Sequence, residues 1–188
     1  MSEPSARYGR PYPRQAARIQ RLFTTTHTVL YRLSGGRTGG TLFGLPMLLL
    51  TTWGRRTAQL RTAPLLYLPV DGAMVVVGSN GGAAQHPTWW FNLRDRPEGL
   101  VQVRNIRGRI HSRSVSEIEH RQIWPMLVEI YPTYERYQER TNRPIPLLML
   151  QPIDTLLAEV IRTHPKHREL EKLPEEHFHH EDTKSTKA

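Results

Sequence analysis

Arg55, Arg56 and Arg61 stand between two apolar runs in LLLTTWGRRTAQLRTAPLLYL, residues 48–68, with no acidic residue among them. Guanidinium groups hold phosphate and carboxylate through planar, two-pronged hydrogen bonds, and clustering strengthens the attraction. Thr57 and Gln59 add neutral donors between the charges. An ordinary solvated basic turn would use the same residues, so the stretch alone leaves both readings open. GSNGGA (78–83) is a second candidate, because consecutive small residues let backbone N–H groups approach a ligand and Ser79 offers a hydroxyl. Glycine-rich turns are common without any ligand, and neither the P-loop pattern nor GxGxxG is present.

Two aromatic runs follow. HPTWWFNL (86–93) places two tryptophans and a phenylalanine on a short helix, a density usual in cores, although one ring could wall a pocket for a flat ligand. YPTYERYQ (131–138) spaces Tyr131, Tyr134 and Tyr137 by three, which on a helix shares one broad face. Three phenols can stack on flat substrates, donate hydrogen bonds or supply a proton. The alternative is an amphipathic helix that buries its rings. The nine histidines read as non-catalytic: HFHH (177–180) has no second cluster, and Pro165 separates His164 from His167. No metal site is expected.

The elements that must position these residues are legible from periodicity. Short strands are predicted over 46–52, 60–69, 73–79, 100–106, 109–115 and 145–152, the last but one pair turning around RGR (107–109). VDGA (70–73) holds an Asp-Gly pair suited to a tight hairpin. Helical patterns cover part of 81–99, then 116–144 with breaks at Pro125 and Pro132, and 153–164. Ser116 and Glu119 have the spacing of a capping box. About six mostly antiparallel strands with helices outside predict a small α+β barrel. Residues 1–13 read as a disordered leader, 14–33 as a basic amphipathic helix, 34–152 as the barrel domain, and 153–188 as a C-terminal helix and charged tail, loose from Pro165.

With 188 residues the chain suits one domain, and 26 Lys+Arg against 17 Asp+Glu give a net charge of +9. That excess favours anionic partners. The absence of cysteine removes disulfides, thiolate metal sites and thiol nucleophiles. No apolar run approaches the roughly 20 residues of a membrane-spanning helix, and no signal peptide is legible, so a cytoplasmic location is expected. The 14–33 pattern suggests peripheral contact with anionic lipid on the inner face of the cell membrane, although such a helix more often packs on its own domain.

Taken in order, LLTTWGRRTAQLRTAPL, VVVGSNGGAAQHPTWWFNL and YPTYERYQERTNRPIP closely resemble the deazaflavin (coenzyme F420)-dependent nitroreductase family, of the flavin/deazaflavin oxidoreductase split-barrel superfamily. The resemblance runs from about Leu30 to Pro152. It implies a split β-barrel and hydride delivery from reduced coenzyme F420 to a quinone-like or nitroaromatic acceptor. It implies that Arg55, Arg56, Thr57, Ala58, Gln59 and Arg61 grip the anionic end of the cofactor, and that Pro64 and Leu65 border it. Ser79, Asn80, Gly81, Gly82 and Ala83 match the loop near the deazaflavin ring, and Trp89 and Asn92 the adjacent helix. Tyr131, Tyr134 and Tyr137 match a tyrosine set beside the acceptor pocket, with Tyr134, Tyr137 or Ser79 as proton donor or orienting group.

The sequence departs from that pattern at several positions. Ala58 stands for a glycine, Ala63 for an asparagine, Asn80 for a lysine, and Leu66 for a tyrosine. Tyr67 comes one place later, which in a strand is the opposite face. A non-catalytic barrel holding a flavin-like cofactor or lipid is the alternative reading. Nucleic acid is not an expected partner, because the aromatic residues cluster with apolar rather than basic neighbours.

Overall fold

Six of the strands close on themselves. The computed structural model describes residues 31, 40–42 and 45–168; the leader, the 14–33 helix apart from Tyr31, and the tail beyond 168 lie outside them. The strands are β1 (Thr41–Leu42), β2 (Leu45–Trp53), β3 (Leu60–Val70), β4 (Ala73–Val77), β5 (Glu98–Val103), β6 (Ile106–Ser114) and β7 (Leu147–Pro152). They run β1-β2-β3-β4-β7-β6-β5, and β5 pairs back onto β2 through Leu49–Gln102, Leu50–Val101 and Thr51–Leu100. All strand pairs are antiparallel, so β2 to β7 form the expected barrel. Closure leaves none of the six with an open edge.

Alternation along each strand divides the apolar residues between two faces. Leu48, Leu50, Tyr67, Met74, Val76, Val101, Val103, Ile110, Leu148 and Leu150 fill the interior. Helix α1 (Thr88–Asp95) adds Trp89 and Leu93 to that interior, and α4 (Thr155–Arg162) adds Leu157 and Ile161. Outside, Leu68, Val70, Val75, Leu147 and Met149 pack against Ile123 and Leu127 of α2 (Glu117–Ile130) and Tyr134 of α3 (Thr133–Glu139). A third group joins Tyr31 to Met47 and Leu49, and the Tyr31 hydroxyl donates to Met47 O (2.9 Å) while accepting from Arg104 N–H (2.8 Å).

Asp71 and Gly72 form the expected hairpin turn, both left-handed at φ 48° and 74°. Ser116 and Glu119 form the expected capping box, and Arg113 holds the same Glu119 carboxylate. Three expectations are corrected. The β5–β6 turn is Arg104–Asn105, not RGR: Gly108 lies inside β6, where a Cβ would meet Leu157 Cδ2 at 2.8 Å. That glycine serves helix packing rather than a turn. Pro125 does not break α2, because Ile123 and Leu127 on either side are buried while Pro125 faces solvent; packing outweighs the lost hydrogen bond. The chain after Pro165 is docked at least to Arg168, whose N–H donates to Pro69 O and whose carbonyl accepts from Asp71 N–H, both 2.9 Å. No helix among the described residues is long and apolar enough to cross a membrane.

Tyr67 occupies the interior and Leu66 the outside, as the one-residue step predicts. Its buried hydroxyl has no hydrogen-bonding partner among the described residues, and burial pushes its pKa far up. An orphaned buried hydroxyl costs about 1–3 kcal/mol. Tyr67→Phe is therefore expected to raise the melting temperature by roughly 2–12 °C. A thermal melt that fell instead would show that the hydroxyl is satisfied.

Candidate active site

The arginine-rich turn closes on itself before it offers anything to a ligand. Gly54 N–H donates to Gln59 O (2.8 Å), and Gly54 O accepts from Thr57 (3.1 Å) and Ala58 (2.7 Å). This curvature places Ala58 at φ 52°, a left-handed conformation that costs an alanine about 1–2 kcal/mol. The glycine expected there by resemblance would adopt it freely. Arg55, Arg56, Thr57, Ala58, Gln59 and Arg61 are all exposed. Arg61 donates to Gln59 Oε1 (2.9 Å), and the Arg55 guanidinium lies over the Phe91 ring, 4.8 Å from its centroid. None of the three arginines forms an ion pair among the described residues.

Asn92 ties this turn to the barrel. Its side chain is buried; Oδ1 accepts from Arg55 N–H (3.1 Å) and Nδ2 donates to Thr52 Oγ1 (2.9 Å). Both halves of the amide are therefore engaged within the protein. Trp89, Asn92 and Leu93 form the buried face of α1, the i, i+3, i+4 spacing of an inward stripe. Trp89 lies in the barrel interior. The half-buried rings of the helix are Trp90 and Phe91, with His86 stacked on Trp90 (4.1 Å between centroids) and Arg94 over both (5.2 and 5.5 Å).

The small-residue loop turns in an unusual sense. After Ser79, the residues Asn80, Gly81 and Gly82 form a 3-10 turn with φ 49°, 65° and 78°. Glycine adopts such angles without steric cost, and asparagine is among the side chains that tolerate them best. Asn80 Nδ2 also closes the loop onto Gln85 O (2.9 Å). Gly82 has a second constraint: a Cβ there would meet Tyr137 O at 2.7 Å and Arg140 Cβ at 2.9 Å. That close approach joins the loop to the tyrosine helix.

The three phenols pack edge to face, Tyr131–Tyr134 at 5.0 Å and the other two pairs at 6.4 Å. They are not equivalent. Tyr134 is buried against the barrel's outer face, and burial pushes its pKa up, followed by the neighbouring phenols. Tyr131 and Tyr137 are half-buried.

One residue binds the loop from the far side. Arg143 donates from Nη2 to Ser79 O (2.7 Å), from Nε to Ala83 O (2.9 Å), and faces His86 Nδ1 through Nη1 at 3.1 Å. The expected residues thus form one continuous arrangement: basic turn, α1, loop 79–86 and α3. Trp89 stays outside it, in the interior, and Leu65 packs against the same interior cluster while Pro64 points to the other face of β3. Sequence reasoning missed Phe91, His86 and Arg143. The inward stripe of 89, 92 and 93 could have identified Phe91; Arg143 lies within YPTYERYQERTNRPIP, but its local sequence gives it no role, and His86 is 57 residues away.

The barrel thus carries at one turn three exposed guanidiniums with no ion pair among the described residues, flanked by half-buried rings and a tight small-residue loop, an arrangement suited to an anionic, flat-ringed ligand. The sequence pattern of the F420H(2)-dependent quinone reductase family matches residues 23–152. An F420H(2)-dependent quinone reductase of Mycobacterium tuberculosis is 34% identical over 128 residues, covering 66% of this chain and 86% of that protein. The solved structure of an F420-H2 dependent reductase has a TM-score of 0.52 and 33% identity over 56% of this chain and 94% of its own. A solved domain-swapped dimer has a TM-score of 0.53 and 30% identity, over 68% of this chain and 100% of its own. The chain belongs to the F420H(2)-dependent quinone reductase family. It is an oxidoreductase dependent on coenzyme F420.

Proposed function

We propose that this protein transfers reducing equivalents from reduced coenzyme F420 to quinone-like acceptors, and that the site just described is where it does so. The observation that carries the reading is the Arg55–Arg56–Arg61 cluster, without an ion pair among the described residues, on a turn held by Asn92 of α1. The cofactor is polyanionic with a flat ring, so the donor set fits it. Arg55, Arg56 and Arg61 would hold its charged end, with Thr57 and Gln59 supplying neutral hydrogen bonds. Ser79 to Ala83 would lie near its ring. When bound and reduced, the cofactor supplies the hydride.

The protein's own work is binding, orientation and proton management. Tyr137, half-buried, would orient an acceptor or give it a proton, as would the Ser79 hydroxyl; the close approach of Gly82 to the Tyr137 backbone supports this by joining the loop to the same helix. Burial keeps Tyr134 neutral, which suits a ring wall and a hydrogen-bond donor better than an acid in exchange with water. Nitroaromatics share the electron-poor character of quinones and form the wider acceptor class. The test is menadione reduction by the purified protein with reduced F420. Cofactor oxidation matched by menadione loss supports turnover. F420 binding without turnover would favour the non-catalytic barrel.

A further inference from the structure

The segment between α3 and β7 contains a half-buried cation with no carboxylate partner among the described residues. Arg143 instead meets three carbonyls, Ser79 O (2.7 Å), Ala83 O (2.9 Å) and Gln85 O (3.4 Å), together with His86 Nδ1 (3.1 Å). All four partners belong to one loop. Gln138 shapes the segment that presents it, donating from Nε2 to Arg143 O (3.0 Å) and accepting from Ile145 N–H (2.9 Å).

Arginine only donates hydrogen bonds, so the nitrogen facing it must accept. His86 Nδ1 then carries a lone pair, and the ring proton resides on Nε2. Stacking on Trp90 at 4.1 Å, with Phe91 edge-on at 5.9 Å, fixes the ring plane. The charged groups facing His86 are Arg143 and Arg94. The geometry points to Arg143 as a positioning residue of the cofactor site: it sets the Ser79–His86 loop through its carbonyls and imposes on His86 the neutral, Nε2-protonated form. Desolvation, followed by the charges of Arg143 and Arg94, holds the imidazole below its ordinary pKa, in the same direction. The loop therefore presents a fixed N–H donor, backed by a positive charge, beside the aromatic rings. An anionic or carbonyl-bearing ring edge is the ligand chemistry such a pair would meet. This role rests on the cofactor reading above.

The experiment is nitrogen-15 NMR of the histidine side chains in the full chain without ligand, beside fluorescence titration with coenzyme F420. His86→Phe assigns the resonance and keeps the ring on Trp90. In the wild type, His86 should show an unprotonated Nδ1 and a protonated Nε2, and should stay neutral to a pH below the usual histidine range near 6.5. Arg143→Lys keeps the charge but not the fork; it should mix the tautomers and weaken F420 binding about tenfold. A wild-type His86 protonated on Nδ1, or titrating near 6.5, overturns the proposal. So does an Arg143→Lys variant binding F420 within twofold of wild type. A wild type that binds no F420 removes the cofactor reading and Arg143's role toward that ligand, while the ligand-free spectra still decide the tautomer.

Discussion

Replacing Arg55 and Arg56 together by alanine is expected to weaken coenzyme F420 binding about 100-fold and lower the melting temperature by no more than about 4 °C. Each charged hydrogen bond to an anionic oxygen contributes about 1.5–3 kcal/mol, and exposure to water takes the lower end of that range. Two such losses total about 3 kcal/mol, a factor near 100. Stability changes little because both side chains are exposed and neither forms an ion pair among the described residues; the Arg55–Phe91 contact that is lost contributes about 0.5–1 kcal/mol. The contact that anchors the turn uses the backbone N–H of Arg55, which alanine retains. Exposed charges are screened by salt, so wild-type affinity should also fall with ionic strength more steeply than that of the variant. The measurement is fluorescence titration at low and moderate salt. Equal affinities for the two proteins would detach the basic turn from the cofactor and leave it a solvated surface feature.

Asn92→Ala acts on the same turn from behind, and should damage stability and affinity together. Alanine removes the partner of Thr52 Oγ1 and of Arg55 N–H, and Thr52 is fully buried. Unsatisfied buried groups cost about 1–3 kcal/mol each. A total near 3 kcal/mol lowers the melting temperature by roughly 10 °C in a chain of this size. The released turn no longer holds its arginines beside α1, so F420 affinity falls as well, even at temperatures where the variant is folded. Calorimetry and F420 titration on the same sample give both numbers. A variant that melts within a degree of wild type would show that the amide is dispensable. A variant destabilised but binding F420 normally would show that the turn does not depend on this anchor.

The two measurements would separate a residue that meets the ligand from one that positions it, a difference the sequence does not show. The resemblance assigns Asn92 to the cofactor, along with Trp89. In the folded chain Asn92 engages both ends of its amide internally, and Trp89 packs inside the barrel. The members of the motif thus sit at different removes from solvent. The arginines meet solvent; Asn92 braces their backbone; Trp89 seats the helix that carries Asn92.

What the sequence determined by itself is local. Alternation of apolar residues located the six barrel strands, because a half-buried strand repeats every two residues. Asp71-Gly72 and the Ser116/Glu119 box were legible because their chemistry lies within four residues. The single-residue offset that sends Tyr67 inward and Leu66 outward was legible for the same reason. Tertiary structure decided the rest. Gly108 reads as a turn until Leu157, from a helix about 50 residues away, occupies the space its Cβ would need. Pro125 reads as a break until the buried residues around it hold the helix together. Tyr131, Tyr134 and Tyr137 read as one face, yet only Tyr134 is buried, because the barrel covers that side of α3. Arg143 has no motif of its own: its partners lie 57 to 64 residues earlier and exist as a set only once β4, α1 and β7 are in place. Periodicity and turn chemistry act between neighbours in the chain. Burial and long-range hydrogen bonding act between neighbours in space, and those assign each residue its task.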